Sequence, residues 1–511
     1  MGDMTATSKI LQLEPLAEAI AAHQQQGKRV VLCHGVFDLL HIGHIRHFEQ
    51  ARRHGDLLVV TLTPDRFVNK GTNRPAFTET LRAETLAALG VVDYVAINRW
   101  PTAVETLRLL RPDVYCKGSE YRQRQVDAES NMSPETTTAE ENGIAVEYTE
   151  DSVFSSSQLL NRHFSPFPPE TAAWIEEFKS RHRAEQIIAR LDQARPLKVV
   201  VVGEAIIDEY VFCTAIGKST KDPVLACQYN GIQSIAGGSL AVANHLAGFC
   251  DQVELITCLG EQERREDFVR QALLPNVRPT FVTKHGAPTI HKRRFIDPYS
   301  QSKLLELYVM DDHPLQGEDE AALGNLLTAA LAGCDLVVCM DYGHGVLTAP
   351  NIEILCAHSP FLAVNTQSNA GNRGFNPISK YRRADYVCLA HHEVAIETRM
   401  RDGDLRDLLL EVTQRIACPN FTVTHGKSGS LHYSQQQGFA EVPAFATQII
   451  DRVGAGDAVI ALTSLLVHQG APWDVVGFVG NVAGAQVVAE LGNRVPVSRI
   501  PLAKHLISLI K

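Results

Sequence analysis

Hydrophobic positions along this chain alternate between two textures. Short continuous runs rich in β-branched residues, RVVLC (Arg29–Cys33) and KVVVV (Lys198–Val202), read as strands buried on both faces. Between such runs lie longer stretches with helical spacing. After the first run the pattern predicts a helix over 44–54, a strand over 57–62, a helix over 78–89 and a strand over 94–97. A helix over 103–110 and strands over 114–116 and 145–148 follow. Strand–helix alternation implies right-handed crossovers and a doubly wound sheet, which binds ligands beyond the carboxyl ends of its strands. Each β-branched run leads into a glycine at that edge, HGVFDLLHIGH after the first and GEAIIDEY after the second, so a turn is expected at both places.

Polar and proline-rich segments punctuate the pattern. Residues 121–142 are polar and acidic and read as a surface loop with a short helix. SPFPPE followed by the polar helical stretch AAWIEEFKSRHRAEQIIARL suits a helical linker over 164–195, separating a domain over 1–163 from a larger α/β domain over 196–511.

With 511 residues, more than one domain is required; 45% hydrophobic and 21% charged residues give the balance of a globular protein. A formal net charge of −10 argues against a nucleic-acid partner, although helix N-termini, lysines and Mg²⁺ still allow anionic nucleotides to bind. Eleven cysteines without a C-x-x-C pair favour reduced, mostly buried thiols. The opening MGDMTATSKILQLEPLAEAI lacks a basic start followed by an apolar stretch, and no apolar run approaches the ~20 residues that span a bilayer. No signal peptide or membrane span is therefore expected, and the cytoplasm is the expected location.

The first candidate site is the segment Gly35-Val36-Phe37-Asp38-Leu39-Leu40-His41-Ile42-Gly43-His44. Gly35 lets the chain turn and approach a ligand closely. His41 and His44 lie three apart at a helix start, so both rings face one way, and Gly43 between them leaves room for a nucleotide. Imidazoles beside the positive end of a helix suit phosphate oxygens and charge that develops in a transition state. The segment resembles the G-x-F-D-x-x-H-x-G-H signature of the cytidylyltransferase family, and specifically the transferase half of the bifunctional enzymes of ADP-heptose synthesis. That resemblance implies nucleotide and phosphate binding by Gly35, Phe37, Asp38 and Gly43. It also implies roles near the phosphates for Lys70 and Arg82 in TPDRFVNKGTNRPAFTETLRAE, for Lys117 in RPDVYCKGSEY, and for Ser155, Ser156 and Ser157 in DSVFSSSQLLNR. The implied reaction is attack of a sugar-phosphate oxygen on the α-phosphorus of ATP or CTP, with Mg²⁺ on the phosphates and pyrophosphate leaving. Positioning and charge stabilisation would carry such a reaction without a covalent intermediate.

The second candidate site is Asp451-Arg452-Val453-Gly454-Ala455-Gly456-Asp457, which precedes the apolar helical run VIALTSLLV. Small residues at a helix start expose backbone N–H groups to a phosphoryl group, and Asp457 is placed to accept the proton of an attacking hydroxyl. The segment resembles the D-x-x-G-A-G-D signature of the ribokinase-like (PfkB) sugar kinases. VVVGEAIIDEY, AGGSLAVANHLAGF and DYGHGVL resemble further parts of that family, which implies sugar binding by Asp208, Gly237 and Gly238 and places Asp341 after a central strand. Together the resemblances imply an α/β chain with a Rossmann-like nucleotidyltransferase domain followed by a larger ribokinase-like domain. The order is the reverse of that in the ADP-heptose enzymes, where the kinase comes first.

The second domain also departs from its pattern. Asn365 and Gln367 stand where the heptose branch has charged residues. Ala390 replaces an asparagine of N-x-x-E, whose glutamate, here Glu393, is implied in Mg²⁺ binding, and Ala241 replaces a sugar-contacting asparagine. His391 and His392, adjacent on a segment taken as extended, would face opposite sides and read as packing residues rather than metal ligands. Three functions follow. One is a bifunctional enzyme that phosphorylates a sugar or sugar phosphate and then makes an activated nucleotide sugar. Another is a transferase carrying a kinase-like binding domain. The third is a CTP-dependent polyol-phosphate cytidylyltransferase. Each takes small molecules as partners, with no nucleic acid or membrane, and the resemblance suggests a homodimer.

Overall fold

The computed structural model describes residues 6–68, 75–118, 134–149, 166–300 and 302–510. The chain divides into two compact units, one ending at Pro166 and the other running from Phe167 to Ile510.

In the first unit five parallel strands, β1 (Val30–Gly35), β2 (Leu57–Leu62), β3 (Tyr94–Ile97), β4 (Val114–Lys117) and β5 (Ala145–Tyr148), take the order β3-β2-β1-β4-β5. The strand order reverses between β1 and β4, which opens a crevice at their carboxyl ends. Strand residues feed two apolar layers. Val31, Cys33, Leu58 and Val60 pack on one face, and Val30, Leu32 and Val59 pack on the other. Both faces of β1 are therefore dry, as its unbroken β-branched pattern requires. The predicted helices form at Ile42–Arg52, Glu79–Ala87 and Val104–Leu110.

The second unit is organised by β6 (Val199–Lys218), a 20-residue strand. Its first half lies in a sheet of order β9-β8-β6-β12-β13-β14-β15-β16-β17. Those strands are β8 (Val253–Gln262), β9 (Val277–Pro288), β12 (Leu336–Asp341), β13 (Leu362–Thr366), β14 (Tyr386–Ala390), β15 (Asn420–Thr424), β16 (Ser430–Ser434) and β17 (Gly438–Val442). All run parallel except β16 and β17. The second half of β6 pairs with β7 (Leu225–Gly238) and β10 (Ile290–Ile296), and β10 pairs with β11 (Lys303–Val309).

Three expectations differ from what is observed. The second β-branched run does not open a turn at Gly203, because the strand continues. A Cβ at that glycine would stand 2.0 Å from the Met340 carbonyl oxygen, so Gly203 serves the close approach of β12. The stretch read as a linker forms helices Pro169–Arg181 and Ala184–Gln193, whose Ile175, Phe178, Ile187 and Leu191 enter the core of the second unit. His391 and His392 begin a helix, His391–Thr398, instead of lying on an extended segment. All eleven cysteines are free thiols and only Cys227 is exposed. Among the described residues no helix is long and apolar enough to cross a membrane.

Candidate functional sites

In the first unit the Gly35–His44 segment leaves β1 beside the β1/β4 reversal. A Cβ on Gly35 would come within 2.9 Å of the Phe37 ring, so only glycine fits under it. Phe37 and Leu39 on either side of Asp38 adopt φ of 48° and 50°, a left-handed conformation that costs a bulky residue about 1–3 kcal/mol and persists only where the surroundings impose it. Two side chains impose it here. Asp38, buried, accepts N–H bonds from Ala76 (2.9 Å) and Phe77 (3.2 Å). Arg82, 1% exposed, donates to the carbonyls of Val36, Phe77 and Thr63 and pairs with Asp65 at 2.6 Å. Arg82, implied beside the phosphates, gives its guanidinium to the protein's own carbonyls and to Asp65, and it positions the loop.

His41 caps the helix Ile42–Arg52, its Nδ1 accepting from the Gly43 N–H at 3.1 Å. An accepting Nδ1 places the proton of the neutral ring on Nε2, and that buried atom has no hydrogen-bond partner among the described residues. Burial lowers the pKa of His41, which favours this neutral donor form. The His44 ring lies 4.0 Å from it, centroid to centroid, at 32°. The two imidazoles meet as their spacing predicts, at the positive end of a helix.

Lys117 ends β4 at the edge of the crevice, but its ammonium is paired with Glu135 at 2.9 Å, and Glu135 also accepts from Tyr115 at 3.1 Å and from the Ala103 N–H at 3.0 Å. Glu135 opens the helix Pro134–Glu141, the short helix expected within residues 121–142. Lys70, Ser155, Ser156 and Ser157 lie outside the described residues.

In the second unit Gly454, at φ 88°, caps the helix Ala455–His468, and a Cβ there would stand 1.9 Å from Asn493 Oδ1. Asp457 sits in the first turn, 8% exposed. Tyr342 donates to its Oδ1 at 2.9 Å and Asn493 Nδ2 to its Oδ2 at 3.1 Å. Burial pushes the carboxyl up to about 6, with the bonds from Tyr342 and Asn493 pulling the other way. Asp451, at the head of the same loop, accepts from Tyr210 and from Lys303, both at 2.8 Å. The small-residue loop is thereby tied to β6 and β11.

Asp208 lies on β6, buried and ion-paired with Arg294 of β10. Gly237 is required beside it, since a Cβ there would meet Asp208 Oδ2 at 2.1 Å. Gly238, at φ 59°, precedes the buried helix Ser239–Ala247, and Ala241 is buried in that helix. Asp341 accepts from Tyr381 and pairs with Lys380, each at 2.6 Å. Glu204, fully buried, accepts the backbone N–H groups of Tyr342 and His344 at 3.0 Å each, and burial beside Asp341 raises it to about 7.

Glu393, implied in Mg²⁺ binding, is engaged by the backbone. Its two oxygens accept the N–H groups of Ser368 at 2.9 Å and Ala390 at 2.7 Å, closing the start of the helix His391–Thr398. Burial raises it to about 7. Asn365 turns its amide onto the Cys388 carbonyl at 2.8 Å, and the Gln367 carbonyl accepts from Asn372 at 2.7 Å. Sequence reading missed Tyr342, Asn493 and Arg294 as partners of the candidate residues. Tyr342 was in view inside DYGHGVL, while Asn493, 36 positions beyond Asp457, carries no local signal.

Both sites combine small residues, a helix start and a titratable side chain at the carboxyl edge of a parallel sheet, the arrangement of an α/β phosphotransfer protein. Residues 196–499 match the model of the pfkB family carbohydrate kinases, more than half of the chain, and the protein belongs to that family. Residues 32–162 match the cytidylyltransferase-like family, so the chain joins domains of both kinds. The Bifunctional protein HldE of Citrifermentans bemidjiense is 44% identical over 122 residues, covering 24% of this chain and 25% of that protein. Its counterpart in Geobacter sulfurreducens is 44% identical over 116 residues, covering 22% and 24%. The chain thus spans about a quarter of the length of these relatives. Phosphofructokinase-2 from Escherichia coli, solved with potassium, superposes with a TM-score of 0.51 at 16% identity over 62% of this chain and all of that one, a likeness of fold.

Proposed function

We propose that the protein is a bifunctional enzyme: the second unit phosphorylates a sugar or sugar phosphate with ATP, and the first transfers a nucleotidyl group from ATP or CTP to a sugar phosphate. The product would be an activated nucleotide sugar of the ADP-heptose kind, the line of chemistry suggested by the HldE likeness of the first unit. The observation that carries the reading is Asp457. It is buried at a helix start, oriented through both oxygens, and held near a pKa of 6, so that it is ionised and still basic near neutral pH.

In the second unit the acceptor hydroxyl would attack the γ-phosphorus as the bond to the bridging oxygen breaks. Its proton would pass to Asp457 while the N–H groups of the Gly454–Asp457 turn face the transferring group. In the first unit the sugar-phosphate oxygen would attack the α-phosphorus and pyrophosphate would leave, with Nε2–H of His41 donating to the charge that builds on phosphate oxygens. Mg²⁺ would arrive with the triphosphates and neutralise their charge. Among the described residues no cluster of three His, Cys, Asp or Glu could hold a metal. Ile216, Leu225, Tyr229, Ile232, Leu305 and Leu307, exposed on β6, β7 and β11, support a homodimer.

A second reading, a transferase with a kinase-like binding domain, is favoured by one observation. Asn365 is turned away onto the Cys388 carbonyl, and Gln367 supplies no charge. A pyrophosphate-release and ADP-release assay separates the two, using ATP or CTP with a panel of sugars, sugar phosphates and polyol phosphates. Sugar-dependent ADP formation that disappears in Asp457→Asn supports the bifunctional enzyme. Pyrophosphate release without ADP formation across the panel supports the binding domain.

A further inference from the structure

Among the described residues the carboxylates around the second site are engaged, and Lys292 is left without one. Lys292 lies on β10, 6% exposed, in register with Asp208 on β6 and Tyr308 on β11. Asp208 is taken by Arg294, Glu204 by two backbone N–H groups, Asp312 by His344 Nδ1 at 2.8 Å, and Asp457 by Tyr342 and Asn493. Among the described residues no hydrogen bond or ion pair engages the Lys292 ammonium, whose nearest companion is the Tyr308 ring, 5.4 Å from nitrogen to centroid. A cation–π contact returns roughly 0.5–2 kcal/mol, less than the several kcal/mol that burying an ammonium costs. Such a charge persists where a ligand completes it. Residues paired in register on neighbouring strands face one side of the sheet, so Lys292 lies on the same side as Asp208, and its field also helps to hold the Asp457 carboxyl down.

We infer that Lys292 is a catalytic residue of the second unit, binding the phosphoryl group as it passes from nucleotide to acceptor. The inference rests on the kinase reading. It also adds a positive charge to the site, where Gln367 is neutral at a position that is charged in the heptose branch. As the bond to ADP breaks and the new P–O bond forms, negative charge spreads over the equatorial oxygens of the phosphoryl group. An ammonium beside them stabilises that state more than the bound substrates. Arg294 cannot serve in its place, since Asp208 holds it.

Lys292→Met, Lys292→Arg and Asp457→Asn would be compared with the full-length protein. In turnover, Lys292→Met should lower kcat for sugar-dependent ADP formation about 10²-fold, with KM changed less than about threefold and partial recovery in Lys292→Arg. Its melting temperature should hold or rise, because an uncompensated buried charge is removed. Without turnover, Mg·ADP binding should tighten on adding aluminium fluoride, a phosphoryl mimic. That tightening should be lost in Lys292→Met, while binding of Mg·ADP alone is kept. Full kcat in Lys292→Met overturns the inference, as does a loss confined to acceptor KM. So does fluoride-dependent tightening that is absent from the wild type or survives in Lys292→Met. A wild type that forms no ADP, yet shows Lys292-dependent tightening, sinks the kinase reading and leaves the phosphoryl site standing.

Discussion

The two candidate sites are built in opposite ways. In the first unit the reacting groups sit on one ten-residue segment, and distant residues hold its shape: Asp38 reaches Ala76 and Phe77, and Arg82 reaches back to Val36. In the second unit the proton acceptor is local to Gly454–Asp457, but everything that tunes it comes from elsewhere. Tyr342 follows β12 and Asn493 lies beyond the next helix, while Lys303 of β11 holds Asp451 at the head of the same loop. A contiguous site concentrates its vulnerability in the clamp, whereas an assembled site spreads it over many weak couplings.

The comparison can be broken by mutation. Asp457→Asn should lower sugar-dependent ADP release by about 10²–10⁴-fold and leave pyrophosphate release intact, the loss expected for a missing proton acceptor. Loss of both activities would mean that the sites are not separate. His41→Ala should lower pyrophosphate release on the order of 10²-fold and spare ADP formation; near-normal turnover would remove the ring from the chemistry. Arg82→Met should act on the fold before the chemistry. Breaking a buried charge cluster costs about 3–5 kcal/mol, so denaturant unfolding of the first unit should shift to lower concentration while the second unit's transition stays. An unchanged midpoint would make the clamp dispensable.

The smallest effect is the sharpest. Asp457 acts as a base only when ionised, so kinase activity should rise with pH through about 6. The Tyr342 hydroxyl stabilises the ionised form, and Tyr342→Phe should therefore move the acidic limb to higher pH and matter little above it. A limb that stays in place would mean that Tyr342 contributes packing alone.

Legibility in the sequence followed the same division. His41, Gly43 and His44 share one helix start, and Gly454 and Asp457 share another, so spacing alone placed them. Strands β2, β3 and β5 formed where periodicity put them because each is a short run between clear breaks. Arg82 was legible as a residue but not as a clamp, since its partners are carbonyl oxygens that leave no mark on sequence. Lys292 was invisible for a related reason: its significance lies in which carboxylates are already occupied, which only three-dimensional pairing determines. Gly203 misled because glycine after a strand signals a turn as readily as a close approach.

Strand β6 carries a consequence of its own. Val199–Val202 anchor the main core, while Asp208 and Tyr210, further along the same strand, face the second site. Side chains alternate along a strand, so one residue inserted near Gly203 would reverse every position after it. Asp208 and Tyr210 would turn to the opposite, equally buried face, and Ile207 and Glu209 would take their places, although neither residue had been touched. Side chains of this strand can be exchanged one by one, whereas any odd change in its length before Asp208 reverses the face it shows to the site.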